Sequence, residues 1–199
     1  MIRDCKIIAI DGAHGTGKTT VVHAVAARLK QEGVHLAVQA DVARMSSLVE
    51  EVVVHRKGDI DLSTELHILG RQLSGEQELA REHELVVCDK SALSVIAYTR
   101  LFLDEAMSDE DRTLFEAFAR AVRCYSAGYD QVFLLQDLYP LEQGEDSYRP
   151  VDPQQRHRAV NLIEGEWNQI QTAVHAVPEG LDTQRKVDWI LSQSEMGNG

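Results

Sequence analysis

Positive charge is scarce in this sequence: 20 Lys and Arg stand against 32 Asp and Glu, a formal net charge of −12. Holding a long nucleic acid through the general surface takes clustered cations, so no such partner is expected. A small anionic ligand needs only local positive charge. Cysteine is nearly absent too. Cys5, Cys88 and Cys124 are widely spaced and odd in number, which excludes a disulfide framework and predicts a reduced, cytoplasmic protein. Cys88 falls in an apolar run and reads as a small buried hydrophobe. No run approaches the roughly 18 apolar residues of a membrane span. The first strand begins too soon to leave room for a signal peptide, so no membrane association is expected. The eight histidines contain no H-E-x-x-H and no Cys-x-x-Cys accompanies them, so no dedicated zinc site is expected. Internal repeats and low-complexity tracts are also missing.

What is present is an ordinary composition of 44% hydrophobic and 26% charged residues over 199 positions, enough for one substantial core and a single domain. The stretch Lys6 to Thr20, KIIAIDGAHGTGKTT, dominates the reading. A short apolar strand, 7–10, runs into Gly12-Ala13-His14-Gly15-Thr16-Gly17-Lys18-Thr19-Thr20, and the apolar spacing then becomes helical. This is G-x-x-x-x-G-K-[ST] in the strand-to-helix setting that gives the motif its meaning. Its glycines let successive backbone N–H groups point inward around phosphate oxygens, and the following helix adds its positive end. Lys18 reaches β- and γ-phosphates in such a loop, and Thr19 helps to hold Mg²⁺.

Further along, the pattern predicts a helix over 21–30, a strand over 34–40, a helix over about 42–57 and another from Ser63 with Leu62, Leu66, Leu69 and Leu73 on one face. Residues 84–89 form an apolar run ending in Asp89, as a buried parallel strand does where it meets a site. Helices over 91–106 and 108–125 follow, the second with a capping-box start at Ser108. A strand over 131–136 precedes a polar segment, 137–152, that is the best candidate for a mobile lid extending to about 158. Pro153 suits a first helical turn behind Asp152, and Val160, Ile163, Trp167, Ile170 and Val174 share one face of the helix it starts. A short strand at 175–177 and a helix over 182–194 end the pattern. Alternating strands and helices predict an α/β fold: a parallel five-stranded sheet with helices on both faces in three layers, ligands at the C-terminal ends of the strands.

A phosphate loop implies a nucleoside triphosphate and leaves open what uses it. The γ-phosphate sensor Asp-x-x-Gly of Ras-like GTPases is missing, since no glycine has an aspartate three positions before it, and so is Asn-Lys-x-Asp. A chain of this size fits a kinase for a small molecule. Asp41, after the second strand, can orient an acceptor hydroxyl or accept its proton, or cap the next helix. Arg44 follows on the same cleft side or on the surface. Asp89 is placed to hold Mg²⁺ and Lys90 to neutralise phosphate or steer the acceptor. Arg149, and Arg156 on the inward face with Val160, are candidates to close on the transferring group and exclude water.

With GAHGTGKTT at 12–20, Asp41-Val-Ala-Arg44, the leucine-rich helix around Arg71-Gln72-Leu73, VVCDKSALSVIAY at 86–98, and Tyr148-Arg149-Pro150 with Arg156, the chain resembles the P-loop nucleoside and nucleotide kinase group. Within that group it is most similar to the AAA-type ATP-binding domain family that includes the ribosylnicotinamide kinase domain of NadR-like proteins. Thymidylate and deoxynucleoside kinases are more distant. The resemblance implies the three-layer P-loop NTPase fold, ATP and Mg²⁺ as cofactors, and a phosphoryl acceptor that is a nucleoside, a nucleotide or a related hydroxylated molecule. It matches Asp41 to the family's acid after the second strand, Asp89 to the acid of its Asp-Arg-Ser pattern, Gln72 to a base or acceptor contact, and Arg149 and Arg156 to the lid. One departure matters: Lys90 stands where the family has arginine, keeping the charge but losing the planar two-pronged contact. The competing readings are an ATP-dependent regulatory switch with a protein partner and a plain NTP hydrolase. The sequence leaves the oligomeric state, a homodimer included, open.

Overall fold

Strand β1 (Lys6–Gly12) is buried from Ile7 onward because it has parallel neighbours on both sides. It pairs with β3 (Leu85–Asp89), Ile10 opposite Asp89, and with β4 (Gln131–Leu135), Gly12 opposite Leu135. The computed structural model describes residues 4–55, 60–140 and 152–193, residues 53–55 by backbone alone. Strand β2 (Leu36–Gln39) pairs with β3, and β5 (Val174–Ala176) with β4, so the order is β2-β3-β1-β4-β5, all parallel. The chain goes from β1 to one side of the sheet and returns to the other. That switch point lies at the C-terminal ends of β1 and β3, where open α/β sheets bind ligands.

Alternation along β1 divides the core in two. Ile8 and Ile10 pack on the face covered by α1 (Lys18–Gln31) and α7 (Thr183–Gln193), with Val25, Leu29 and Ile190. Ile7 and Ala9 belong to the opposite layer with residues of α3 (Leu62–Leu79), α4 (Ala92–Leu103), α5 (Asp109–Ser126) and α6 (Pro153–Trp167). Three layers of helix, sheet and helix result, as the alternating pattern predicts. Among the described residues, no helix is long and apolar enough to cross a membrane.

Two expectations are corrected. The helix expected over 42–57 starts later and is not α throughout: a turn at 42–45 leads, through Ser46 as cap, into α2 (Ser47–Val49) and then a π-helix over Glu50–His55, with 56–57 outside the described residues. The helix starting at Pro153 stops at Trp167, so Ile170 lies in the connection and Val174 opens β5. Gly70 and Gly75 do not interrupt α3. A Cβ at Gly75 would meet the Gln39 side chain at 2.5 Å, so this glycine admits the end of β2 against the helix.

The end of β1 is fixed by a fully buried carboxylate. Asp11 accepts from its neighbour's amide, Gly12 N, at 2.8 Å, from Ser91 Oγ at 2.5 Å, from Ser94 Oγ, and from Trp167 Nε1 at 3.0 Å. One side chain thus ties β1 to the start of α4 and the end of α6. Trp167, which the sequence places on one face of its helix with Val160 and Ile163, packs in the core and also brings its indole N–H to this cluster. Trp167→Phe keeps a large aromatic and removes one donor to a buried carboxylate, and is expected to destabilise by about 1.5–3 kcal/mol. Urea denaturation measures it, and an unchanged midpoint would contradict the clamp.

Candidate active site

The loop after β1 takes its shape from three glycines with positive φ: Gly12 at 139°, Gly15 at 75° and Gly17 at 79°. At Gly12 there is also no room for a side chain, because a Cβ would stand 2.3 Å from the Leu135 carbonyl oxygen. Gly17 caps α1, so the first turn of that helix opens at the loop. His14 N donates to the Tyr98 hydroxyl at 3.0 Å and Thr16 Oγ1 to the Ala13 carbonyl at 3.0 Å. The Lys18 ammonium, nearly fully buried, folds back onto the loop and donates to Ala13 O at 2.5 Å and Thr16 Oγ1 at 3.3 Å. Burial first, and Lys90 second, lower its pKa to about 8. A cavity of about 330 Å³ lies over the loop and is also lined by Thr19, Thr20, Asp41, Arg44, Asp89 and Lys90.

Asp89 ends β3 beside the start of α1. Its Oδ2 accepts from Thr19 Oγ1 at 2.6 Å, while its Oδ1 is buried with no hydrogen-bond partner among the described residues. Ser91, not Asp89, caps α4, its hydroxyl accepting from Ser94 N at 3.2 Å. The carboxylate is therefore available for something outside the chain. A hydroxyl and a carboxylate in contact at the mouth of a phosphate loop are the donor set that Mg²⁺ takes, the rest of its shell being water and phosphate oxygen. The orphaned oxygen fits that ion.

Lys90, next in the chain, is the one non-glycine residue with positive φ among those described, at 78°. That conformation costs about 1–2 kcal/mol for an L-residue. It turns the side chain across the C-terminal edge of the sheet, where Nζ meets Asp41 Oδ2 at 2.8 Å, both side chains about 10% exposed. Burial opposes charge on both groups, but each partner's field wins: Lys90 is held above the usual lysine range and Asp41 below the usual carboxylate range. His14 sits beside this pair, and burial followed by the surrounding cations keeps its imidazole well below the usual value, hence neutral.

A second cavity, of about 290 Å³, lies beyond the pair, between α3, α4 and the turn after β2. Its walls are mainly apolar, with Val42, Ile68, Val95, Tyr98 and Phe102 among them, and it shares His14, Asp41, Arg44 and Lys90 with the phosphate cavity. Gln72 and Glu65 also line it. Gln72 is buried, its Nε2 donating to Glu76 Oε1 at 2.7 Å and to the Lys90 carbonyl at 3.4 Å. Glu76 is itself pinned by the Tyr129 hydroxyl at 2.7 Å and the Tyr125 hydroxyl at 2.8 Å. Gln72 is therefore fixed in orientation, with its carbonyl oxygen as the atom left over.

The sequence-derived candidates thus divide. Lys18, Thr19, Asp41, Arg44, Asp89 and Lys90 converge on the phosphate cavity, and Gln72 on the adjoining one. Arg156 is buried against the outside of the loop: its Nε donates to His14 O at 3.2 Å and its Nη2 to Gly15 O at 3.4 Å and Tyr139 O at 2.7 Å. Residues 137–140 run beside the loop, with Tyr139 N donating to Gly15 O at 2.9 Å. From Asp152 the expected lid is the cap and first turns of α6; Arg149 lies outside the described residues. Sequence reasoning missed Asp11, Tyr98, Glu76 and Glu65. The last carried a signal, being an acid on the same face of α3 as Ile68, Leu69 and Gln72.

A family model described as an AAA domain matches residues 7–185. No curated protein matches the chain significantly. Among solved structures, the deoxyadenosine kinase from M. mycoides with bound dATP is similar at a TM-score of 0.68 and 15% identity, over 94% of this chain and 98% of that one. The thymidylate kinase from Ehrlichia chaffeensis has a TM-score of 0.65 at 17% identity, over 95% and 98%. The NadR protein in complex with NR has a TM-score of 0.69 at 16% identity, over 96% of this chain and 51% of that one. At these identities the likeness is one of fold.

Proposed function

The chain belongs to the AAA domain family, and we propose that it is an ATP- and Mg²⁺-dependent kinase for a nucleoside, a nucleotide or a related hydroxylated small molecule. The observation that carries this reading is the junction of the two cavities. A phosphate loop opens, across the Asp41–Lys90 pair, into an apolar pocket with a few fixed polar groups, as small-molecule sites are built. A hydrolase has no use for the second pocket, whereas transfer to an acceptor needs it. That the fold is shared with proteins described as deoxyadenosine and thymidylate kinases supports the same reading.

Phosphoryl transfer asks a protein mainly for positioning and charge neutralisation. Lys18 meets the phosphates once its ammonium leaves the Ala13 carbonyl. Thr19 and the free oxygen of Asp89 would hold Mg²⁺, which when bound would supply charge neutralisation to the phosphates. Asp41 orients the acceptor hydroxyl, and being ionised it can take that proton late in the step. Lys90 and Arg44 face both cavities, where the transferred group passes. Arg156 holds the loop through its carbonyls, and Gln72 presents its oxygen to the acceptor.

The test is Mg²⁺-ATP consumption against a panel of nucleosides, nucleoside monophosphates, ribosylnicotinamide and unrelated alcohols, with Lys18→Met as blank. Stimulation by one acceptor class, with a phosphorylated product, is the expected result. Tight ATP binding without stimulation by any of them would overturn the kinase reading and favour a nucleotide-dependent switch.

A further inference from the structure

Glu65 is a buried carboxyl without an adequate partner. It stands in the first turns of α3, 4% exposed, and it lines the second cavity. Its one polar neighbour among the described residues is Thr99 Oγ1, 3.3 Å from Oε2. That hydroxyl has a single proton, already directed to the Val95 carbonyl at 2.8 Å, so Glu65 receives a poor hydrogen bond at best. Among the described residues no cation pairs with it; Lys90, whose positive field reaches it, is engaged by Asp41. Burial raises its pKa to about 7, against weaker opposing effects of Thr99 and Lys90. A structural role would have given this side chain partners, as Glu76 and Glu166 have: Glu166 accepts from Arg100 Nε and Arg123 Nε, each at 2.8 Å. Buried polar groups are satisfied in stable proteins, and the side open to Glu65 is the cavity.

Gln72 narrows the chemistry. It lies two turns further along the same face of α3, and both of its hydrogen bonds are made by the amide nitrogen, to Glu76 and Lys90. What α3 turns towards the cavity is then an amide oxygen and a carboxyl, both able to accept, between apolar walls. Such a site selects a ligand that brings donors.

We propose that Glu65 is a specificity-determining residue for the acceptor, accepting a hydrogen bond from a donor group other than the hydroxyl that is phosphorylated. This rests on the kinase reading for the identity of the occupant. On a nucleoside the donor comes from a sugar hydroxyl or from the base, as an exocyclic amine or a ring N–H, and matched pairs separate sugar from base. Ribonucleosides against their 2′-deoxy and 3′-deoxy forms test the sugar; cytidine against uridine, and adenosine against inosine, test the base.

Calorimetric binding to the nucleotide-free protein and kcat/KM for phosphorylation are measured for wild type, Glu65→Leu and Glu65→Gln. At about pH 8, where most of Glu65 is ionised, the wild type is expected to prefer one member of one set of pairs, the hydroxyl-bearing member where the sugar is read, by about 10- to 100-fold, the range of a hydrogen bond to a charged group. Glu65→Leu is expected to erase that preference and no other. Glu65→Gln keeps an acceptor oxygen and a similar volume, retains part of the preference, and shows that the loss is not one of folding. The proposal is overturned if no pair is discriminated, if Glu65→Leu leaves every preference intact, or if no nucleoside binds. Glu65-dependent binding without transfer would uphold the proposal and sink the kinase reading. Transfer without any Glu65-dependent preference would do the reverse.

Discussion

Lys18→Met is expected to lower kcat/KM for acceptor phosphorylation by at least about 10³-fold while leaving the protein folded. The size follows from removing a preorganised cation from a site where positioning and charge neutralisation carry nearly the whole rate. Among the described residues the other cations lining the cavity, Arg44 and Lys90, come from the turns after β2 and β3 and not from the phosphate loop. Retention of the fold is the discriminating half. Burial and Lys90 depress the Lys18 pKa from its ordinary 10.5 to about 8. Below pH 8 the folded protein holds a charge that its environment disfavours, so the penalty is fully present there. Between pH 8 and 10.5 the unfolded chain binds a proton that the folded one does not, and stability rises with pH. Methionine fills a similar volume with no charge. The variant is therefore expected to melt no lower than wild type at pH 7, and to lose the part of the rise between pH 8 and 10.5 that Lys18 provides. A variant that is inactive because it is unfolded, or folded and still active, would contradict the assignment.

How far the sequence foretells this site depends on the range of the interaction. The phosphate loop is legible because its parts are neighbours: three glycines, a lysine and a threonine within nine residues, between a strand and a helix. Strands β1, β3 and β4 are legible for a similar reason, since burial on both faces makes them continuous apolar runs. Asp89 and Asp41 are legible as acids at strand ends, where a parallel sheet puts its ligands. The Asp11 clamp is not legible in this way. Its donors lie 80, 83 and 156 residues along the chain, and nothing local marks the carboxylate as more than a polar end to a strand. Arg156 has the same difficulty: its partners His14 and Gly15 are 142 and 141 residues away, so spacing gives its inward face but not the loop carbonyls that it meets. Glu65 and Gln72 are legible only as polar residues at apolar spacing, on the face of α3 that carries Ile68 and Leu69; that Glu65 lacks an adequate partner becomes visible only once α4 is packed across it.

Lysine at position 90 leads to the second large effect. In the structure Lys90 reaches Asp41 at 2.8 Å from a left-handed backbone, so a single ammonium does the work of pairing and also lines both cavities. Asp41→Ala leaves that ammonium buried and unpaired. It is expected to destabilise by about 3–5 kcal/mol and, separately, to lower kcat by about 10²- to 10⁴-fold through loss of the group that orients or deprotonates the acceptor. The two losses separate in Asp41→Ala with Lys90→Met. Removing both charges relieves the unpaired one, so the double variant is expected to regain most of the lost stability in urea denaturation. It is expected to regain none of the activity. If activity returned with stability, Asp41 would be no more than a counter-ion for Lys90, and the acceptor hydroxyl would need another partner. The pair also sets a pH limit. Because Lys90 holds Asp41 below its ordinary pKa despite burial, the contribution of Asp41 is complete above about pH 4 and is lost as pH falls through the lowered folded value. The double variant should lack that part of the acid sensitivity.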